Sequence, residues 1–189
     1  MASPAHLATT SPDHSEVTTA EMAYERHFDL VWRALRRLGV DEGGLDDACQ
    51  DVFLVVFRRW EDFRGASSLT TWIYGIVLRV ASSYRRSRRR AATSTDETAA
   101  LALIEAAANP FEETSWREAS RVLSQVLDNL EDRVRAVFVL VDLEEITIQQ
   151  AADLLGVSLP TARSRLRTAR EHVNATLARV RARDEWRLA

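Results

Sequence analysis

Apolar residues recur three and four positions apart along most of this chain, and no stretch sustains the alternation of a strand. Phe28, Val31, Trp32, Leu35 and Leu38 mark one face of an amphipathic helix starting near Glu21. Gly39 and the Gly43-Gly44 pair are predicted to end it. A second helix is expected over Asp46 to Trp60, with Val52, Phe53, Val56 and Phe57 on its apolar side. A loop follows, Phe63-Arg-Gly-Ala-Ser-Ser68, and Thr70 or Thr71 is placed to cap a third helix. Trp72, Ile73, Ile76, Val77 and Val80 form its buried stripe. A second helical set starts near Trp116. Val122, Leu123, Val126, Leu127 and Leu130 make one stripe, and Val134, Val137, Phe138 and Val141 another. The expected fold class is all-α.

Between these sets the pattern lapses. Residues 1–20 are rich in Ser, Thr, Ala, Pro and His without period and read as a disordered tail. They show neither the basic start nor the apolar core of a signal peptide. Residues 91–115, rich in Ala, Thr, Glu and Asp and broken at Asn109-Pro110, read as an acidic linker. A flexible segment of that size spans about 25–30 Å and stretches to one turn of DNA, about 34–36 Å. The predicted architecture is therefore two small helical domains, 21–90 and 116–175, on a flexible tether, with a basic tail over 176–189. No apolar run approaches the roughly 20 residues of a membrane span. The lone Cys49 excludes an internal disulfide and suits a reducing cytosol.

Charge sharpens this division. The net charge of −3 is unremarkable, but its distribution is not. Residues 1–57 hold 4 arginines against 10 acids, and 58–90 hold 9 against 2. Residues 91–157 hold 4 against 13, and 158–189 hold 8 against 3. Salt screens charges beyond about 8–10 Å, so local sign matters more than the total. All 25 basic residues are arginine, whose planar fork suits phosphate and guanine.

The most informative segment is 147–170. Thr147 can cap a helix over Ile148 to Leu155, Gly156 suits a left-handed helix end, and Ser158 can cap the next helix. Pro160 falls in a first turn, where its missing N–H has no partner to lose. In the second helix Ala162, Leu166, Ala169 and Val173 share one side. Thr161, Ser164, Arg167 and Thr168 lie opposite, flanked by Arg163 and Arg165. This is a helix-turn-helix whose second helix offers side chains to the DNA major groove. The plainer alternative, a solvated cationic helix, does not explain two caps, a glycine turn and small packing residues in register.

The upstream domain carries its own cationic helix, Arg79, Ser82, Ser83, Tyr84 and then Arg85-Arg-Ser-Arg-Arg-Arg90. Nearby aromatics, Phe63, Trp72, Tyr74 and Tyr84, have the chemistry to stack on unpaired bases. Trp72 reads as core by spacing, Tyr74 less so. Asp46, Asp47 and Asp51 form an acidic cluster on one helix. Three roles compete for it: a solvated face, a docking surface for a basic partner, and a Mg²⁺ site, which lacks any accompanying histidine or nucleophile.

Taken together, Leu45-Asp-Asp-Ala-Cys-Gln-Asp-Val-Phe53, Phe63-Arg-Gly65 and Thr71-Trp-Ile-Tyr74 before an arginine-rich helix resemble region 2 of the extracytoplasmic-function sigma factors. Leu130 to Arg170 resembles their region 4. The resemblance implies a subunit that binds core bacterial RNA polymerase and directs it to promoter DNA, without cofactor, metal or catalysis of its own. Asp47, Gln50, Asp51 and Phe53 would dock on the polymerase clamp-helix coiled coil, and region 4 would meet the flap. Phe63, Arg64, Gly65, Trp72, Tyr74, Arg79, Ser83 and Arg86 would read and open the −10 element. Thr161, Arg163, Ser164, Arg165, Arg167 and Thr168 would read the −35 element. The resemblance also implies a cytoplasmic protein held inactive by an anti-sigma partner, which is often membrane-bound. Two other functions fit parts of the chain: a stand-alone helix-turn-helix regulator, and a Mg²⁺-dependent nuclease using Asp46, Asp47 and Asp51. The regulator would need a dimerisation helix to span half-sites, and none is visible beyond the two domains.

Overall fold

The structure, a computed structural model, describes residues 19–94 and 122–188. Every regular element among them is helical. Helix α1 spans Ala20–Arg37, capped by Thr19, whose hydroxyl accepts the Met22 N–H at 3.3 Å. It closes through Leu38 onto Gly39, which takes φ +86°, a left-handed turn that a side chain would strain.

Helix α2, Glu42–Arg58, begins four residues earlier than the periodicity predicts. Asp41 is its N-cap residue, and the Gly44 N–H bonds back to the Asp41 carbonyl at 3.0 Å. The glycine pair therefore lies in the first turn of α2 and does not terminate α1. A Cβ on Gly44 would sit 3.4 Å from the Tyr84 ring, an ordinary contact distance, so α2 passes close to α3 here. A 3₁₀ turn, Trp60–Asp62, leads into the loop. Helix α3 then runs from Leu69 to Ser94. Its cap is Ser68, not Thr70 or Thr71: the Ser68 hydroxyl accepts the Thr71 N–H at 3.0 Å.

Helices α1, α2 and α3 close around Val31, Leu35, Leu45, Val52, Val56, Ile73 and Val77, all buried. Phe53 belongs to the same core and is only 3% exposed. Its ring lies edge-on to Tyr24 at 4.7 Å and stacks with Phe28 at 6.3 Å. Phe57, expected inside, is instead exposed.

Cys49 is buried between α1 and α2, and burial with the nearby Asp46 charge pushes its thiol from 9.0 up to about 11. The thiolate, the reactive form, is then about 100-fold scarcer at neutral pH. Cys49 is expected to resist a thiol-disulfide reagent in the native chain and to react at once in denaturant. Rapid native labelling would contradict this packing.

The remaining tail and linker expectations, residues 1–18 and 95–121 with the helix start near Trp116, lie outside the described residues. In the second domain, residues 122–128 form α4, followed by α5, Asp132–Phe138. The chain then widens into a π-helical turn, Val139–Leu143. One extra residue per turn shifts the phase: Val139 and Leu140 go inside, while Val141 is only half-buried. Helix α6, Ile148–Leu155, and helix α7, Leu159–Leu188, complete the unit. Helix α7 passes without a break through residue 175, where the pattern placed a domain end. Ala136, Val137, Leu140, Ala151, Ala162, Leu166 and Ala169 form its core.

Candidate nucleic-acid interface

The helix-turn-helix forms as its caps dictate. The Thr147 hydroxyl accepts the Gln150 N–H at 3.3 Å, and Gln150 Oε1 accepts the Thr147 N–H at 3.3 Å, a reciprocal capping box. Gly156 adopts φ 62°, ψ 37° at the end of α6. Ser158 then caps α7 by accepting the Thr161 N–H at 3.3 Å. These bonds fix the angle between α6 and α7, with Ala162, Leu166, Ala169 and Val173 buried beneath.

The opposite face of α7 is open. Arg163, Ser164, Arg167 and Thr168 are exposed, and Thr161 and Arg165 half-buried. Thr168 donates its hydroxyl to the Ser164 carbonyl at 3.2 Å, so its proton is engaged within the helix. Arg167 lies 3.9 Å from Glu171, both well exposed, a contact too weak to hold it from DNA. Arg170 behaves differently. Its Nε and Nη2 fork onto the two oxygens of Asp142 at 2.9 and 2.6 Å. That bond raises the guanidinium pKa further and ties α7 to the π-helical turn. Arg170 thus positions the reading helix, a long-range role that spacing did not disclose.

In the first domain, Trp72, Arg79, Ser83 and Arg86 lie seven, four and three residues apart, one stripe about 21 Å long on α3. Arg64, Gly65, Arg79, Ser83 and Arg86 are exposed. Phe63 and Trp72 are half-buried, with ring centroids 5.5 Å apart. Trp60, which the sequence reading left aside, completes a three-ring cluster at 6.3 Å from Phe63 and 6.5 Å from Trp72. Gly65 has φ +69° and open space around it, giving the loop a sharp bend at the mouth of this cluster.

Two expectations reverse here. Trp72, read as core, keeps part of its ring accessible. Tyr74, read as the freer aromatic, is fully buried. Its hydroxyl donates to Glu144, and desolvation, then that bond and its charge, push the phenol far above its ordinary value. In this conformation Tyr74 does not face a base. The arginine block also divides. Arg85 donates to the Leu38 carbonyl, Arg88 pairs with Asp41, and Arg89 donates to Asp132 at 2.7 Å. Three of the five arginines are thus engaged within the protein, while Arg86 and Arg90 are exposed.

The acidic face of α2 is accessible: Asp47, Gln50 and Asp51 are exposed. Asp51 accepts the Tyr84 hydroxyl at 2.9 Å. Desolvation, the bond to Asp51 and the charges of Asp51 and Asp47 push the Tyr84 phenol up to about 12. Phe53, assigned to docking beside these residues, is a core residue, because its position in the turn points it at α1. The apolar groups that do reach the surface there are Leu54, Phe57, Tyr24 and Met22, each 40–42% exposed. Tyr24, Leu54 and Phe57 border a groove of about 420 Å³ next to Asp46 and Gln50. Among the described residues no three His, Cys, Asp or Glu side chains are grouped to hold a metal ion. No described helix is long and apolar enough to cross a membrane.

Two family models match the chain: Sigma-70 region 2 over residues 23–91 and Sigma-70, region 4 over residues 114–173. The ECF RNA polymerase sigma-E factor of Escherichia coli K12 is 25% identical over 142 residues, covering 71% of this chain and 74% of that protein. Its counterpart in Haemophilus influenzae is 27% identical over 146 residues, covering 71% and 75%. Two solved structures share the fold at a TM-score of 0.61. One is CnrH in complex with the cytosolic domain of CnrY, at 23% identity over 84% of this chain and 87% of that one. The other is the sigma factor RpoE with the anti-sigma factor NepR from Bartonella quintana, at 21% identity over 82% and 97%. The two helical units, their order along the chain and these matches agree: the chain belongs to the extracytoplasmic-function group of sigma-70 factors, which bind core RNA polymerase and direct it to promoters.

Proposed function

We propose that this sigma factor works through three surfaces of its own. The outer face of α7, Thr161, Arg163, Ser164, Arg165, Arg167 and Thr168, reads the −35 element in the major groove. The observation that carries this assignment is the exposure of that face above a fully capped turn. A guanidinium forked onto guanine there discriminates by about 1–3 kcal/mol. The loop Phe63-Arg64-Gly65, with Trp72 and the Arg79–Ser83–Arg86 stripe, receives the −10 element. The half-open Trp60–Phe63–Trp72 cluster supplies a stacking wall for an unpaired base, and the stripe tracks the backbone. Asp47, Gln50 and Asp51 on α2, with Leu54 and Phe57 in place of Phe53, meet the clamp helices of core polymerase.

Residues 21–90 and 116–175 are the two working domains, with 91–115 as their tether. The protein acts in the cytoplasm as a binding subunit and performs no catalysis. An anti-sigma partner is part of this reading, because both solved relatives of the same fold carry one or a cytosolic partner domain. The flap of core polymerase is the expected seat of the second domain.

The direct test is transcription in vitro by core polymerase on a fragment library. The full chain is expected to select discrete start sites that core alone ignores. Equal binding to duplex DNA with and without core, and no start-site selection, would support a stand-alone regulator instead.

A further inference from the structure

The junction between the two domains centres on one carboxylate. Glu144 follows the π-helical turn of the second domain, and its side chain is only 8% exposed. Its Oε1 accepts Arg37 Nη1 of α1 at 2.6 Å, and its Oε2 accepts the Tyr74 hydroxyl of α3. Both donors belong to the first domain. A desolvated carboxylate is stable only while its partners stay in place, so this contact is formed as a unit or not at all. Beside it, α6 approaches α3 closely where residue 75 has no side chain: a Cβ on Gly75 would lie 3.4 Å from Leu154. At the far edge, Arg89 donates to Asp132 at 2.7 Å, and Arg85 lies 3.6 Å from the same carboxylate.

This junction lies against the helix that would read the −10 element. Trp72, Gly75 and Arg79 share a cleft of about 560 Å³ with Gln150, Asp153 and Leu154 of α6. Two heads bound to separate elements at least one helical turn apart, about 34–36 Å, cannot also share a buried carboxylate. The joined arrangement and the promoter-bound arrangement therefore exclude each other.

We propose that Glu144 is the latch of a self-closed state: bonded to Tyr74 and Arg37, it holds the −35 domain against the −10 helix and must let go before promoter DNA is engaged. The proposal rests on the assignment of the two domains as −10 and −35 readers. The closed population lowers apparent promoter affinity by the fraction of molecules that are open, so weakening the latch raises it.

The test uses the full chain with spin labels at exposed Glu25→Cys and Asn174→Cys in a Cys49→Ala background. Pulsed dipolar spectroscopy then reads the distance between domains. The parent is expected to give a narrow, short distance. Tyr74→Phe, which keeps the ring, and Glu144→Ala are each expected to raise the open-to-closed ratio about tenfold or more, seen as a longer and broader distribution. Arg37→Gln, which removes the other donor, should shift it in the same direction. Thermal melts confirm that each variant is folded. A parent that is already broad, or folded variants with the parental distribution, would overturn the latch. Initiation assays with core polymerase are read separately. Glu144→Ala should raise the rate of promoter engagement at limiting promoter by about 3- to 10-fold. If distances shift but neither chain starts transcription on any promoter, the sigma reading of the domains fails while the closed state stands. If transcription proceeds and the distances do not move, the latch alone is lost.

Discussion

Phe53→Ala is expected to remove about 3–5 kcal/mol of stability from the first domain, read as a lower denaturation midpoint of the full chain. Phe53 is 3% exposed and packs against the rings of Tyr24 and Phe28, so truncation leaves a void between α1 and α2. Its affinity for core polymerase should fall only as far as the domain unfolds. Leu54→Ser and Phe57→Ser should behave in the opposite way. Both residues are exposed, so folding should hardly change, yet core polymerase affinity should drop by about 2 kcal/mol, near thirtyfold, if they anchor the contact. Calorimetry and competitive core binding on the same three variants separate the roles. A stable Phe53→Ala chain that binds core poorly would restore Phe53 as a docking residue.

The second large effect concerns base reading. Arg163→Ala and Arg167→Ala are each expected to cost about 1–3 kcal/mol on promoters that carry the matching −35 base, roughly 5- to 150-fold in promoter use. The loss should be much smaller on promoters that differ at that base. Arg170→Ala should act unlike either. Its fork to Asp142 sets the seat of α7, so its loss should weaken all promoters alike and lower domain stability. Initiation rates across a promoter library distinguish the patterns. A uniform loss for Arg163→Ala would assign it to phosphate contacts.

Much of this fold was legible in the sequence because helices announce themselves locally. Thr147, Gly156 and Ser158 specify the turn between α6 and α7 within twelve residues, and the structure makes the bonds they promise. The misplaced features depended on a competing helix start, on a change of helical pitch or on something distant. The glycine pair reads as a stop, but α2 starts from its N-cap Asp41 just ahead of it and takes both glycines into its first turn. Val141 fell out of its stripe because one π-helical turn altered the phase. Phe57 lies outside while Phe53 stays inside, as its spacing predicts, because four residues of helix rotate a side chain about 40° past its start, and the edge of the apolar face lies between them. Tyr74 could not be separated from Trp72 by spacing alone. Its ring joins the core and its hydroxyl bonds to Glu144, seventy residues on, and no local pattern records that bond.

Ser68 begins α3 and Ser158 begins α7, and each accepts the N–H of the threonine three residues later, Thr71 or Thr161, while the two hydroxyls meet at 2.8 Å. Both helices proposed to face DNA are thus started by the same small polar device. A phosphoryl group added to either serine would occupy the capping oxygen and bring about two negative charges to the first turn of that helix. A single enzymatic modification at either position would therefore disturb the start of the helix, and at Ser158 it would also displace Thr161, whose hydroxyl shares that cap.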